Sequence, residues 1–248
     1  MIDIGDPLGL LLSLQTNQGD KMRYVFPLAL PVVLPVVGED SGFPVRRVYC
    51  VAANYAQHAT ELGGDGREPP AFFSKPADTL VPGGGNVAYP SRTAKLQHEV
   101  ELVVALGKGG IDIPVDQALD HVFGYAVGID LTRRDLQAEA KAKGRPWEMS
   151  KGFDQSGPVS AVVRAARNEH PFKGRIWLAV NGVAKQEGNL DQMTWNVAEI
   201  IANLSTYVAL AAGDVIFAGT PAGVSTIVRG DLLECGIDGV GTLSTRLV

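Results

Sequence analysis

The sequence predicts one α+β domain in which strands dominate, and three observations predict it. Short apolar runs recur along the chain, each closed by Gly, Pro or Asp. The best amphipathic helix is a single stretch, Thr194 to Leu210, where Val197, Ile200, Ile201, Leu204 and Val208 recur at helical spacing. The 29 glycines and 15 prolines among 248 residues demand many turns and short elements. No repeat of fixed period and no low-complexity linker divides the chain.

The elements follow in order. Residues 1–21 read as a loosely attached extension, and Met22 is an alternative start because strand-like Arg23-Tyr24-Val25-Phe26 follows it. Val32 to Val37, broken by Pro35, is an extended segment. We divide the chain into an N-terminal extension and extended segment, 1–44, and a single main domain, 45–248. Arg47 to Ala52 is a buried strand, and Asn54 to Leu62 a short helix stopped by Gly63-Gly64. Ala71 to Pro76 is a strand ending in a turn. Glu99 to Leu106 is the strongest strand, and Val122 to Asp130 is another. Pro114 to Asp120 and Arg134 to Lys143 are helical, the second ended by Gly144. Arg175 to Asn181 and Val215 to Ala218 are strands, and short strands alternate with Gly turns from Asp231 to Val248.

Composition excludes several classes. With 22 Lys plus Arg against 27 acids, the net charge of −5 argues against a nucleic-acid binder and a polybasic membrane anchor. No run of about 18 apolar residues exists to span a membrane. The apolar stretch Leu8 to Leu14 follows Asp3 and Asp6 and no cation, unlike a secretory signal. Cys50 and Cys235 both lie in apolar strand-like runs, as buried reduced thiols do, which suits a cytoplasmic setting.

The chemistry starts at His98-Glu99-Val100-Glu101-Leu102. Residues i and i+2 of a strand share a face, so Glu99 and Glu101 point the same way, roughly 7 Å apart at the backbone. At that spacing they repel by roughly 2 kcal/mol at an effective dielectric of about 20. A wet strand face, pairing with Arg or Lys, or a divalent cation would each relieve this. Asp130 ends a second apolar run, where a lone acid is uncommon. Three carboxylates on neighbouring strands make a hard oxygen site suited to Mg²⁺, Mn²⁺ or Ca²⁺. Zinc suits it less, because His98 lies on the opposite face.

Other residues carry weaker signals. His58 and Glu61 stand at i, i+3 on one helical face, either a general base with its orienting acid or an ordinary surface pair. Lys151, after the Gly144-Arg145-Pro146-Trp147-Glu148 turn, reads alone as a snorkelling surface lysine, and beside small and apolar residues also suits oxyanion stabilisation. The tight loop Gly219-Thr220-Pro221-Ala222-Gly223 offers N–H groups and a hydroxyl to a carboxylate. The chain lacks phosphate-loop spacing, a dinucleotide fingerprint and a nucleophile elbow.

Taken together, these segments resemble the fumarylacetoacetate hydrolase family. The resemblance rests on Asn54-Tyr55-Ala56-Gln57-His58-Ala59-Thr60-Glu61, Phe73-Ser74-Lys75-Pro76, His98 to Leu102, Gly128 to Gln137, Lys151-Gly152-Phe153-Asp154 and Gly219 to Gly223, in the family's order. Gly144 to Glu148 with the adjoining Lys151 to Asp154 resembles its bacterial fumarylpyruvate and acylpyruvate hydrolase branch. The resemblance implies a β-rich roll or sandwich of mixed strands with short helices, and a homodimer. It implies Mg²⁺ or Mn²⁺ on Glu99, Glu101 and Asp130, a His58–Glu61 dyad, and Lys151 near the reacting oxygen. It makes Lys75, Tyr89, Arg134, Gln137 and Thr220 candidate substrate contacts. Ala53 stands where the family commonly has arginine.

The expected activity is metal-dependent hydrolysis of a C–C bond in a 2,4-dioxo acid, fumarylpyruvate first, as in aromatic-compound catabolism. His58 would activate a water, Lys151 would steady the oxyanion, and the metal would polarise the oxo acid. The alternatives are oxaloacetate decarboxylation or dienoate isomerisation on the same ligands, and a non-catalytic keto-acid binder.

Overall fold

Short β-branched and apolar runs build seventeen strands among the described residues of the computed structural model, which are 24–55, 68–165 and 170–248. The first twelve are β1 (Val33–Pro35), β2 (Gly42–Pro44), β3 (Arg47–Ala52), β4 (Ala71–Lys75), β5 (Leu80–Pro82), β6 (Gly85–Val87), β7 (Leu96–Gln97), β8 (Val100–Leu106), β9 (Val122–Ile129), β10 (Thr132–Arg133), β11 (Gly157–Val159) and β12 (Val163–Arg164). The remaining five are β13 (Arg175–Val180), β14 (Val183–Asn189), β15 (Asp214–Phe217), β16 (Leu232–Ile237) and β17 (Gly241–Leu247). The α-helices are α1 (Arg134–Ala142), α2 (Glu148–Lys151) and α3 (Val197–Tyr207). Among the described residues no helix is long and apolar enough to cross a membrane.

The chain divides into Met1–Leu30 and Pro31–Val248. In the first unit only residues 24–30 are described, and all are exposed. Residues 1–21 lie outside the described residues. In the second unit, eight strands form a sheet in the order β4-β3-β15-β8-β9-β11-β5, with β12 also on β9. Five more form a sheet in the order β14-β13-β16-β17-β6. Most neighbours are antiparallel, but β3–β15, β5–β11 and β6–β17 run parallel. The strand-rich α+β class expected from the sequence is the class observed.

Two apolar cores hold the sheets. One joins Leu102, Val104, Val127 and Ile129 to Ile176, Leu178, Leu233 and the Ile200–Ile201–Leu204 face of α3. The other lies on the opposite face of β8, where Val103 and Ala105 meet Val215, Phe217, Val48 and the Leu34 and Phe43 side chains of the β1–β2 hairpin. Each fully buried Leu, Ile or Phe contributes roughly 1.5–3 kcal/mol. Strand β8 is therefore central and buried along all seven residues. The wet strand face considered for Glu99 and Glu101 is thereby overturned: β8 lies between β15 and β9, with both faces covered.

Local chemistry moves some boundaries. Helix α3 starts at Val197 rather than Thr194, because Asn196 caps it. The Asn196 side chain accepts from Glu199 N–H at 3.0 Å, and Glu199 accepts from Asn196 N–H at 2.9 Å. The segment after Pro114 is a 3₁₀ helix, Val115–His121. Of the helix expected over Asn54 to Leu62, Asn54 is not helical and Tyr55 forms a β-bridge with Met193. Residues 56–67 lie outside the described residues.

Candidate metal and catalytic site

Strand register brings the acids together. Antiparallel pairing sets Val100 opposite Ile129 and Glu101 opposite Gly128. One step beyond the Val100–Ile129 pair, Asp130 N–H donates to the Glu99 carbonyl at 2.8 Å. Oxygens of Glu99, Glu101 and Asp130 then lie within 4.8 Å of one another. The three residues are only 4%, 2% and 0% exposed. Gly128 serves packing here, since a Cβ would fall 2.6 Å from both Phe217 Cε1 and Val103 Cγ2.

Three cations surround the group. Lys151, at the end of α2, donates to Glu99 Oε2 and Asp130 Oδ2, both at 2.6 Å. Lys75 Nζ lies 2.8 Å from Asp130 Oδ1, but its hydrogen bonds go to Ser156 Oγ at 3.0 Å and to the Lys151 carbonyl. Asp130 Oδ1 is thus buried beside a cation and has no hydrogen bond. Arg134, opening α1, pairs with Glu99 and donates to Gln97 at 2.6 Å and to Gln137.

Electrostatics separate the members. Burial pushes the Glu101 carboxyl well above the usual carboxylate range, and the charges of Asp130 and Glu99 push the same way. Lys151 and the Gly219 N–H, 2.7 Å from Glu101 Oε2, oppose this. For Lys151, burial would lower the ammonium, but Asp130 and Glu99 outweigh it and hold it raised and charged. No ammonium or guanidinium among the described residues forms an ion pair with Glu101. Hard oxygen donors, a carboxylate oxygen without a hydrogen bond and an acid without a counter-cation fit a divalent ion of the Mg²⁺ or Mn²⁺ class.

The other expected residues divide. Lys151 is 3% exposed, which overturns its reading as a snorkelling surface lysine. Lys75, expected to touch substrate, faces Asp130 and Ser156. Gln137 and Arg134 join each other and Glu99. Thr220 is buried one residue after Gly219. Tyr89 packs beneath the Arg229 guanidinium, 5.6 Å from its ring centroid. His58 and Glu61 lie outside the described residues. Cys50 and Cys235 are buried and free, as expected.

Asn54 ties the start of that segment to the site. Its amide donates to the carbonyls of Ala218 at 2.8 Å and Trp195 at 2.9 Å, and accepts from Trp195 N–H at 2.8 Å. Gly219, at φ +96°, lets this approach occur, since a Cβ would fall 2.6 Å from Asn54 Cβ. Ala53 adopts φ +54°, a left-handed conformation costing roughly 1–2 kcal/mol for a residue with a Cβ.

Sequence reasoning missed Gln97, Ser156 and Gln186. It placed His98 off the acidic face, and there His98 is buried and bonded to Gln186 and Ser225. Gln186 sits on a strand whose neighbours Lys185 and Glu187 are exposed, and alternation at that residue was the one available signal.

Fold and site together define the class: a strand-rich α+β protein with a buried three-carboxylate group able to take a divalent cation. The chain belongs to the fumarylacetoacetate hydrolase family, since the profile of the fumarylacetoacetate (FAA) hydrolase C-terminal domain matches residues 47–248. The chain is 49% identical to a fumarylpyruvate hydrolase from Pseudomonas aeruginosa, whose crystal structure is a complex with Mn²⁺ and pyruvate. That match has a TM-score of 0.89 and covers 91% of this chain and 99% of that one. A fumarylpyruvate hydrolase from Ralstonia sp is 45% identical over 173 residues, 70% of this chain and 90% of that protein. The mitochondrial oxaloacetate tautomerase of Mus musculus is 43% identical over 202 residues, 82% of this chain and 91% of that protein.

Proposed function

We propose that this chain hydrolyses a C–C bond in a 2,4-dioxo acid, with fumarylpyruvate as substrate and fumarate and pyruvate as products. The observation that carries this reading is the 49% identity to the Pseudomonas aeruginosa fumarylpyruvate hydrolase holding Mn²⁺ and pyruvate. Glu99, Glu101 and Asp130 would hold Mg²⁺ or Mn²⁺. The bound ion supplies Lewis-acid polarisation of the oxo acid. His58, oriented by Glu61, takes the proton of the attacking water. Lys151 has three ammonium protons, and Glu99 and Asp130 take two of them. The third is left for the oxyanion. Arg134 and Thr220 hold substrate oxygens. The protein works as a cytoplasmic homodimer in aromatic-compound catabolism.

A second reading is oxaloacetate chemistry, tautomerisation or decarboxylation, favoured by the 43% identity to the murine tautomerase. One assay separates the two. Purified protein is given fumarylpyruvate or oxaloacetate with Mg²⁺, with Mn²⁺ or with EDTA. Metal-dependent release of equal fumarate and pyruvate is the expected result. Turnover of oxaloacetate alone would replace the first reading with the second.

A further inference from the structure

Gln186 is the best-connected buried amide around the acidic group. It is 1% exposed on β14 and makes four hydrogen bonds. Its Oε1 accepts from Val100 N–H at 3.1 Å and lies 2.8 Å from His98 Nδ1. Its Nε2 donates to the Pro221 carbonyl and to Thr220 Oγ1, both at 2.8 Å. The orientation of the amide follows from its partners, because a backbone N–H only donates and a carbonyl only accepts. His98 Nδ1 therefore carries a proton, and its Nε2 faces Ser225 Oγ at 2.8 Å. One chain of bonds thus runs from Ser225 through His98 and Gln186 to Thr220.

The end of that chain is informative. Thr220 Oγ1 accepts from Gln186, so its own O–H proton must point elsewhere. Among the described residues that proton has no acceptor, although Thr220 is only 2% exposed. The preceding residue, Gly219, donates its N–H to Glu101 Oε2 at 2.7 Å. Through Val100 N–H, the same Gln186 holds the backbone between Glu99 and Glu101. One amide thus spaces a hydroxyl donor, unused among the described residues, against two of the three acids.

We propose that Gln186 is a positioning residue for ligand recognition: it presents the Thr220 hydroxyl as a donor to a carboxylate oxygen of the oxo acid bound at the acidic group. This rests on the reading that the acidic group holds a divalent ion and an oxo acid. An O–H donated to a carboxylate is a strong, charge-assisted bond. Its direction is set by the Gln186 N–H behind it.

Proton counting supplies the test. The Gln186 amide has one N–H for Pro221 and one for Thr220. In Gln186→Glu a protonated carboxyl has a single O–H, and an ionised one has none. The Thr220 hydroxyl would then turn its proton to residue 186 and be lost to the ligand. The readouts are Mn²⁺ affinity and the affinity of the Mn²⁺-loaded full chain for pyruvate, followed by water-proton relaxation. Gln186→Glu and Thr220→Val should each weaken pyruvate binding about tenfold, roughly one hydrogen bond to a charged group. The double variant should be no weaker than either single one, and Mn²⁺ affinity should hold within about twofold throughout. Thr220→Ser should bind as wild type does. Unchanged pyruvate affinity in Gln186→Glu, or additive losses in the double variant, would overturn the proposal. If Gln186→Glu does not fold, equal pyruvate binding by Thr220→Ser and Thr220→Val overturns it instead. A wild-type protein that binds Mn²⁺ but not pyruvate would sink the oxo-acid reading as well, a result distinct from any variant outcome.

Discussion

The ammonium of Lys151 and the carboxylate of Asp130 meet at 2.6 Å, with side chains only 4% and 1% exposed. Such a pair is costly to bury and costlier to break. Removing one partner from a buried ion pair costs roughly 3–5 kcal/mol, because the other charge stays behind. Here the same ammonium also serves Glu99, so its removal leaves two acids short of a partner.

Lys151→Met should therefore lower the melting temperature of the metal-free protein sharply. Adding Mn²⁺ should recover part of the loss, since a cation again neutralises Glu99 and Asp130. Turnover should stay down by roughly 10²–10³ even with metal, as when an oxyanion donor is lost. Thermal scans with and without Mn²⁺, and kcat at saturating metal, check both halves. Full recovery of kcat with metal would remove Lys151 from the chemistry.

Glu101→Gln should behave oppositely. Glutamine keeps an acceptor for the Gly219 N–H but discards a carboxylate that burial and two like charges disfavour. The metal-free variant should be at least as stable as wild type. It should lose the stabilisation by Mn²⁺, about 2.7 kcal/mol for wild type at a hundred times Kd. A Mn²⁺-induced shift of wild-type size would take Glu101 out of the ligand set.

His58→Ala should keep Mn²⁺ affinity and lose kcat by roughly 10²–10⁴, the range for removal of a general base. Calorimetric titration with Mn²⁺ alongside initial rates separates the two effects. A variant that turns over normally would eliminate His58 as the base.

These predictions draw unequally on the sequence. The acids were legible because ionisable residues at i, i+2 and at the end of an apolar run conflict with burial. Only a small set of arrangements resolves that conflict. Strands β3, β8 and β9 were legible for the same reason in reverse, as long β-branched runs. Strands β5, β6 and β11 were not, because three-residue strands are set by their partners rather than by their own pattern. Lys75 and Lys151 gave no sign of burial, since a lysine is placed by what surrounds its ammonium, and those acids lie far away in sequence. Gln186 gave only a faint signal because β14 is a mostly exposed edge strand, and the partners that make its amide matter come from two distant stretches, 98–100 and 220–221.

His170 offers a test of stability against pH away from the acids. Its Nδ1 lies 2.6 Å from the Tyr125 hydroxyl, and the Phe172 ring packs edge-on at 6.3 Å. Burial lowers the imidazole below its ordinary 6.5, with Asp120 opposing. The unfolded chain, with a histidine at the ordinary value, then binds more protons than the folded one between the lowered value and 6.5. Stability from this group is complete above 6.5 and is lost as the pH falls through that window. His170→Gln keeps a hydrogen-bonding group for Tyr125 and cannot titrate. Urea midpoints for the variant should accordingly fall less than those of wild type between a pH just above 6.5 and one below it. Parallel curves for the two proteins would mean that His170 titrates alike in the folded and unfolded chains.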